Sequence, residues 1–161
     1  NLLLKELGRS DLSYHAIDTF SGFTEQDLAH EIGHRGKSKS LGQRFIVNNV
    51  KWFLATLKSY GLDSVNVYQT DVSLFEFTTI DPIRFCLLDV DLYLPTKNAL
   101  PKLFDNLHPN GIIVVDDVAP NRIFDGALQA YCEFVAEKGL PERIVHGKLG
   151  LIYGSSWSEV P

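Results

Sequence analysis

The sequence predicts an α/β sandwich built on a mostly parallel sheet and finished by an antiparallel edge. Three observations predict it. Short apolar runs alternate with longer helix-period segments from Gly8 onward. One run, Ile112-Ile113-Val114-Val115, is strongly β-biased. Two short runs near the end, 143 to 146 and 149 to 153, are separated only by Gly147-Lys148, short enough for a hairpin.

Taken in order, residues 1 to 8 read as the second half of an amphipathic helix ending at Gly8, and the sequence contains no methionine. A fragment whose natural start lies upstream is therefore expected. Residues 14 to 20 read as a strand. Residues 21 to 41 form the one long irregular segment, and its Gly/Lys/Ser-rich centre suits a mobile lid. Residues 43 to 60 carry Phe45, Ile46, Val50, Phe53, Leu54 and Leu57 at helical spacing and close on Gly61. Residues 65 to 69 are the next strand. Residues 84 to 89 are almost wholly apolar, as expected of a strand covered on both faces. A helix over 96 to 107 is stopped by Pro109-Asn110-Gly111, and another over 124 to 138 by Gly139. One domain, 1 to 161, holds all of these elements, without repeats or linkers.

A net charge of -5, with basic residues scattered apart from Arg35, Lys37 and Lys39, argues against a nucleic-acid groove or a membrane-binding surface. No apolar run approaches the roughly 20 residues of a membrane helix, and a cytoplasmic protein is expected. Cys86 and Cys132 lack metal or disulfide spacing and read as buried free thiols. His30 and His34 are i, i+4, but Gly33 and Gly36 disfavour a helix there, so solvated loop histidines are expected, with contact to a substrate from the lid as the alternative. Trp52, Phe53 and Trp157 read as packing residues.

In an open parallel sheet, ligands bind at the carboxyl ends of the strands. Aspartates stand there. Asp18 ends the first strand, Asp71 follows the second, Asp89 and Asp91 end the third, and Asp116 and Asp117 end the fourth. Asp89 and Asp91, two apart, project to one side of extended chain. If their strand neighbours that of Asp116, the carboxylates reach a common point. Crowded carboxylates raise one another's pKa unless a cation neutralises them, and an all-oxygen site suits Mg²⁺. Asp116 and Asp117 both reach it only if the chain turns, which Val118-Ala119-Pro120-Asn121 makes credible. Any one of these acids taken alone reads equally as a local turn or cap residue.

The motifs Asp18-Thr19-Phe20-Ser21-Gly22, Leu88-Asp89-Val90-Asp91-Leu92-Tyr93, Leu107-His108-Pro109-Asn110-Gly111 and Val114-Val115-Asp116-Asp117, in this order, resemble the macrocin O-methyltransferase family over roughly residues 2 to 153. The resemblance implies a class I, Rossmann-like three-layer sandwich that binds S-adenosylmethionine and methylates a hydroxyl of a small molecule, such as a sugar on a natural product. It implies Asp89, Asp116 and Asp117 as Mg²⁺ ligands, Asp91 as general base, Asp18 on the cofactor ribose and Asp71 toward its adenine. The family's first strand and glycine-rich cofactor turn lie before Asn1. Val90 replaces a frequent glycine, and Leu94-Pro95 a small polar pair. Other readings stand beside it. Asp89-Val90-Asp91 also matches the DxD of metal-dependent glycosyltransferases and of haloacid-dehalogenase phosphatases, and a degenerate, non-catalytic binding module or a homo-oligomer is left open.

Overall fold

A computed structural model of the chain describes Glu6, Gly8 and residues 11–120 and 123–157. The helix expected over residues 1 to 8 lies outside these residues except at those two positions, as does Asn121.

Among the described residues six strands form: β1 (Tyr14–Asp18), β2 (Val65–Gln69), β3 (Ile83–Leu88), β4 (Leu107–Val115), β5 (Ile144–Val145) and β6 (Leu149–Tyr153). They divide into two sheets rather than one. β1 and β2 pair in parallel, from Tyr14 on Val65 to Asp18 on Gln69, while the second sheet runs β3-β4-β6-β5. β3 and β4 are parallel, and β6 returns antiparallel beside both β4 and β5, giving the expected hairpin edge. The expectation that β3 is covered on both faces is corrected: Leu88 is 3% exposed, but Phe85 is 66% and Leu87 55% exposed. β3 pairs only with β4, and no described element covers its Phe85 and Leu87 side.

Between the strands, the described residues form the helices α1 (Glu25–Gly33), α2 (Val50–Ser59), α3 (Tyr93–Asp105) and α4 (Asp125–Lys138). Two of them correct the sequence reading. The segment 21 to 41 is not irregular throughout, because Thr24 starts α1 with a reciprocal cap: its Oγ1 accepts the Asp27 N–H at 3.2 Å and donates to Asp27 Oδ2 at 2.7 Å. Gly33 is only the last residue of that helix, where a glycine costs little. The helix expected from residue 43 starts at Val50 instead, where the Asn49 side chain accepts the Lys51 N–H at 2.8 Å. Upstream, Phe45 has φ 59°, which no helix accommodates. No residue of α2 is buried, and Trp52 is 69% exposed, so it is not a core residue. Phe53 does pack on Phe20, and Trp157 on Tyr153.

The core lies between the second sheet and α3 and α4. Leu100, Leu103, Ile113, Val115, Tyr131, Val135 and Ile152 are all buried, each large side chain contributing about 1.5–3 kcal/mol. Tyr131 satisfies its hydroxyl on the Arg143 N–H at 2.9 Å and the Leu151 carbonyl at 3.2 Å. Gly150 is required beside it, since a Cβ there would sit 2.7 Å from the Tyr131 ring. Both cysteines are free and half-buried, and burial pushes the Cys86 thiol up to about 12. No helix among the described residues is long and apolar enough to cross a membrane.

Candidate active site

The parallel register of β3 on β4 sets Leu88 beside Val115, and the Asp116 N–H extends that ladder onto the Leu88 carbonyl at 2.9 Å. Asp89 and Asp116 therefore leave neighbouring strand ends together. Each chain then bends sharply. Leu92 N–H reaches the Val90 carbonyl at 2.6 Å around Asp91, whose φ is 63°, a γ-turn of the strained kind. Asp117 has φ 56°, and the Ala119 N–H closes on its carbonyl at 2.8 Å. Aspartate is among the few residues that tolerate this left-handed backbone.

These bends bring one carboxylate oxygen each of Asp89, Asp91 and Asp117 within 4.8 Å of one another. Asp116 is held differently. The Lys148 ammonium lies 2.7 Å and 2.9 Å from its two oxygens, with the hydrogen bond on Oδ2. Nothing in the local sequence marks Lys148. It arrives because β6 pairs Gly150 with Val115, so the hairpin residue just before β6 falls beside the acid just after β4.

The charges of the cluster are mutually adverse. Loss of solvent, then the Asp116 and Asp117 charges, raises the Asp89 pKa. Loss of solvent first, then the Asp89 charge and a hydrogen bond with Asp117, raises Asp91 to about 7. A compact set of hard oxygen donors that repel one another fits a divalent cation, whose charge would offset that repulsion.

The cluster opens into a cavity of about 770 Å³ that reaches the ends of β1 and β2. Asp18 and Asp71 both line it, and both also serve local backbone. Asp18 Oδ1 accepts the Phe20 N–H at 2.5 Å, and Asp71 Oδ1 accepts the Ser73 N–H at 2.8 Å. The local-turn reading and the cavity-facing reading therefore coexist at these two acids. Asp27 of α1 lines the cavity too, with its pKa raised chiefly by burial. The sequence reading missed it because the helix was not foreseen.

A buried clamp holds α1 against the site. Glu31 accepts the Tyr93 N–H on Oε1 at 2.8 Å and pairs with Arg35 Nε on Oε2 at 3.0 Å. Arg35 and Lys37 each reach Asp125 Oδ1 at 2.6 Å, and Arg35 also bonds Gln129. Burial opposes the charge on Asp125, but the Lys37 and Arg35 hydrogen bonds hold its pKa below the usual range. The clamp thus joins the first residues of α3 and α4, which follow the two aspartate turns. Gly126 permits the approach, since a Cβ there would lie 2.5 Å from the Tyr93 nitrogen. His30 lies in α1 and is not a loop residue, whereas His34 is exposed in the turn that follows Gly33. Their rings stack at 4.9 Å, and His30 stacks on Tyr93 at 5.2 Å.

A family model described as Macrocin-O-methyltransferase (TylF) matches residues 1–150. No curated protein sequence matches the chain. Similar solved structures include two methyltransferases. The O-methyltransferase NovP superposes with TM-score 0.79 at 20% identity, over 95% of this chain and 64% of its own. CalS11, a calicheamicin methyltransferase, does so with TM-score 0.68 at 20% identity, over 91% of this chain and 61% of its own. At that identity the likeness shows the fold, the Rossmann-like α/β sandwich of class I methyltransferases. This chain spans about three fifths of the length of either structure.

Proposed function

Since this chain belongs to the macrocin O-methyltransferase family, we propose that it forms most of an S-adenosylmethionine-dependent, Mg²⁺-assisted O-methyltransferase acting on a hydroxyl of a small molecule, a sugar of a natural product being the best fit. The observation that carries the reading is the carboxylate cluster at the ends of β3 and β4, within one cavity with Asp18 and Asp71.

In this reading Asp89 and Asp117 hold Mg²⁺, and Asp116 joins them by exchanging its Lys148 partner for the metal. Bound Mg²⁺ would supply positive charge that makes an acceptor hydroxyl easier to deprotonate. Asp91 would accept that hydroxyl proton, and S-adenosylmethionine, when bound, would supply the methyl group. Asp18, at the end of β1, accepts hydrogen bonds from the ribose hydroxyls through the carboxylate oxygen not bound to Phe20. Asp71 faces the adenine. The glycosyltransferase and phosphatase readings of Asp89-Val90-Asp91 draw no support from the family match.

Calorimetry on the complete gene product tests the assignment. S-adenosylhomocysteine should bind, and transfer of methyl to a sugar hydroxyl should require Mg²⁺. Nucleotide-sugar binding without S-adenosylhomocysteine binding would overturn it.

A further inference from the structure

The inward face of α1 is acidic. Its buried residues are Asp27, 8% exposed, and Glu31, 1% exposed, one turn apart. A helix ordinarily turns apolar side chains inward, and a buried carboxylate is costly unless a cation or several donors satisfy it. Glu31 is satisfied by Arg35 and by the Tyr93 N–H. Asp27 is not: its Oδ2 accepts the Thr24 hydroxyl, and among the described residues no cation pairs with it. Its part in the helix cap does not require burial, since capping acids serve equally at a surface.

Asp27 lines the cavity together with Asp18 and Asp71. Burial first, then the Asp71 charge, raises its pKa, against the Thr24 hydrogen bond, so Asp71 is the cavity acid that bears on it most. The two come from separate segments and are engaged in the same way. Asp27 uses Oδ2 for Thr24, and Asp71 uses Oδ1 for the Ser73 N–H. Among the described residues no donor engages the second oxygen of either acid. Two such oxygens at one cavity suit a group that offers two protons. A hydroxyl donates one, whereas an amino group donates two.

Resting on the methyltransferase reading above, we propose that Asp27 is a cofactor-binding residue: with Asp71 it holds the exocyclic amino group of the adenine, one carboxylate on each N–H, and so brings α1 over the ring. Hydrogen bonds to an ionised acceptor are roughly twice as strong as neutral ones. The adenine supplies the donor that the protein does not, and the acidic face of α1 is complete only with the ring in place. Glu31, one turn further along the same face, holds the Tyr93 N–H. The helix that grips the cofactor is thus the one that supports the turn at Asp91.

Titration calorimetry on the complete gene product tests this with S-adenosylhomocysteine and S-inosylhomocysteine, whose ring carries a carbonyl oxygen where adenine carries the amino group. The parent protein should prefer the adenine ligand by about 100-fold, the scale of two charge-assisted hydrogen bonds lost. Asp27→Asn keeps an acceptor for Thr24 and offers an amide donor to the carbonyl, so it should cut the preference to about tenfold or less. Glu25→Gln, at an exposed acid of the same helical turn, should leave it unchanged. Both ligands are measured on each protein, so a loss of folded fraction lowers the two affinities alike and does not move their ratio. A purely structural role for Asp27 would therefore leave the ratio at the parent value. That result overturns the proposal, as does an absence of preference in the parent protein or an equal shift in Glu25→Gln. Each of these leaves the methyltransferase reading standing, because S-adenosylhomocysteine still binds. Binding of neither ligand by the parent protein overturns both.

Discussion

Glu31, 1% exposed, accepts the backbone N–H of Tyr93 at 2.8 Å and so caps α3 from a distant segment. Leu92, at the cap position itself, offers no side-chain bond. The first turn of α3 begins two residues after Asp91, so this one carboxylate ties α1 to the turn that aims the candidate base.

Glu31→Ala should therefore lower stability by about 2 kcal/mol, since it leaves the buried Tyr93 N–H without an acceptor and removes one of the two carboxylates on Arg35, which keeps Asp125. Glu31→Gln, which keeps an acceptor oxygen, should lose less. Urea denaturation of the two variants decides, and a loss in Glu31→Ala no larger than that of a surface substitution would show that the clamp contributes nothing.

Asp18→Ala should weaken S-adenosylhomocysteine binding by about 1 to 3 kcal/mol, the loss typical of a hydrogen bond to a charged group. Calorimetry measures it directly. Unchanged affinity would mean that Asp18 serves only its turn with Phe20.

Ligand and base within the cluster separate by their metal dependence. Asp89→Ala and Asp117→Ala should raise the Mg²⁺ concentration needed for half-maximal turnover. Asp91→Asn should lower turnover by about 10²- to 10⁴-fold with little change in that concentration. If excess Mg²⁺ restores Asp91→Asn, then Asp91 is a ligand and the base lies elsewhere. Lys148→Ala should tighten Mg²⁺ binding severalfold, roughly the scale of releasing one competing ion pair, provided that Asp116 ligates. Unchanged or weaker binding removes Asp116 from the ligand set.

The raised Asp91 pKa fixes the sign of a pH effect. Its proton is held more tightly in the folded chain, at about 7, than at the ordinary value of 3.8. The stabilisation is thus complete below about 4 and is lost as pH rises through about 7. Asp89 shifts in the same direction. Without metal, the melting temperature should fall across this window more steeply than in Asp91→Asn, and Mg²⁺ should restore it at the alkaline end. Parallel curves for the two proteins would show that the cluster does not titrate there.

Much of this architecture was legible in the sequence where local preference and burial agree. β2 and β6 span 65 to 69 and 149 to 153, as their apolar runs indicate. The aspartates at the ends of β3 and β4 were legible for the same reason, because strand ends follow from strands. Elsewhere local signals conflicted. Gly33 and Gly36 argue against a helix around them, but the capping hydrogen bonds between Thr24 and Asp27 prevail. Phe45 and Ile46 matched a helical period, yet they precede Asn49, which starts the helix, and Phe45 belongs to the cavity wall. Lys148 was beyond reach, since only the antiparallel register of β6 brings it to Asp116. The partition of roles between Asp91 and Asp116 likewise depends on two backbone bends that spacing does not encode.

Two of the three clustered carboxylates, Asp91 and Asp117, sit on left-handed backbone. Glycine at either position would relieve the bend, by about 1 kcal/mol, and would remove a repelling charge as well. Selection for folding alone therefore runs downhill toward losing these acids. A chain released from catalytic duty would shed them early, and laboratory evolution screened only for thermal tolerance should do the same within few rounds. Aspartate at both positions is therefore not what folding stability alone would favour.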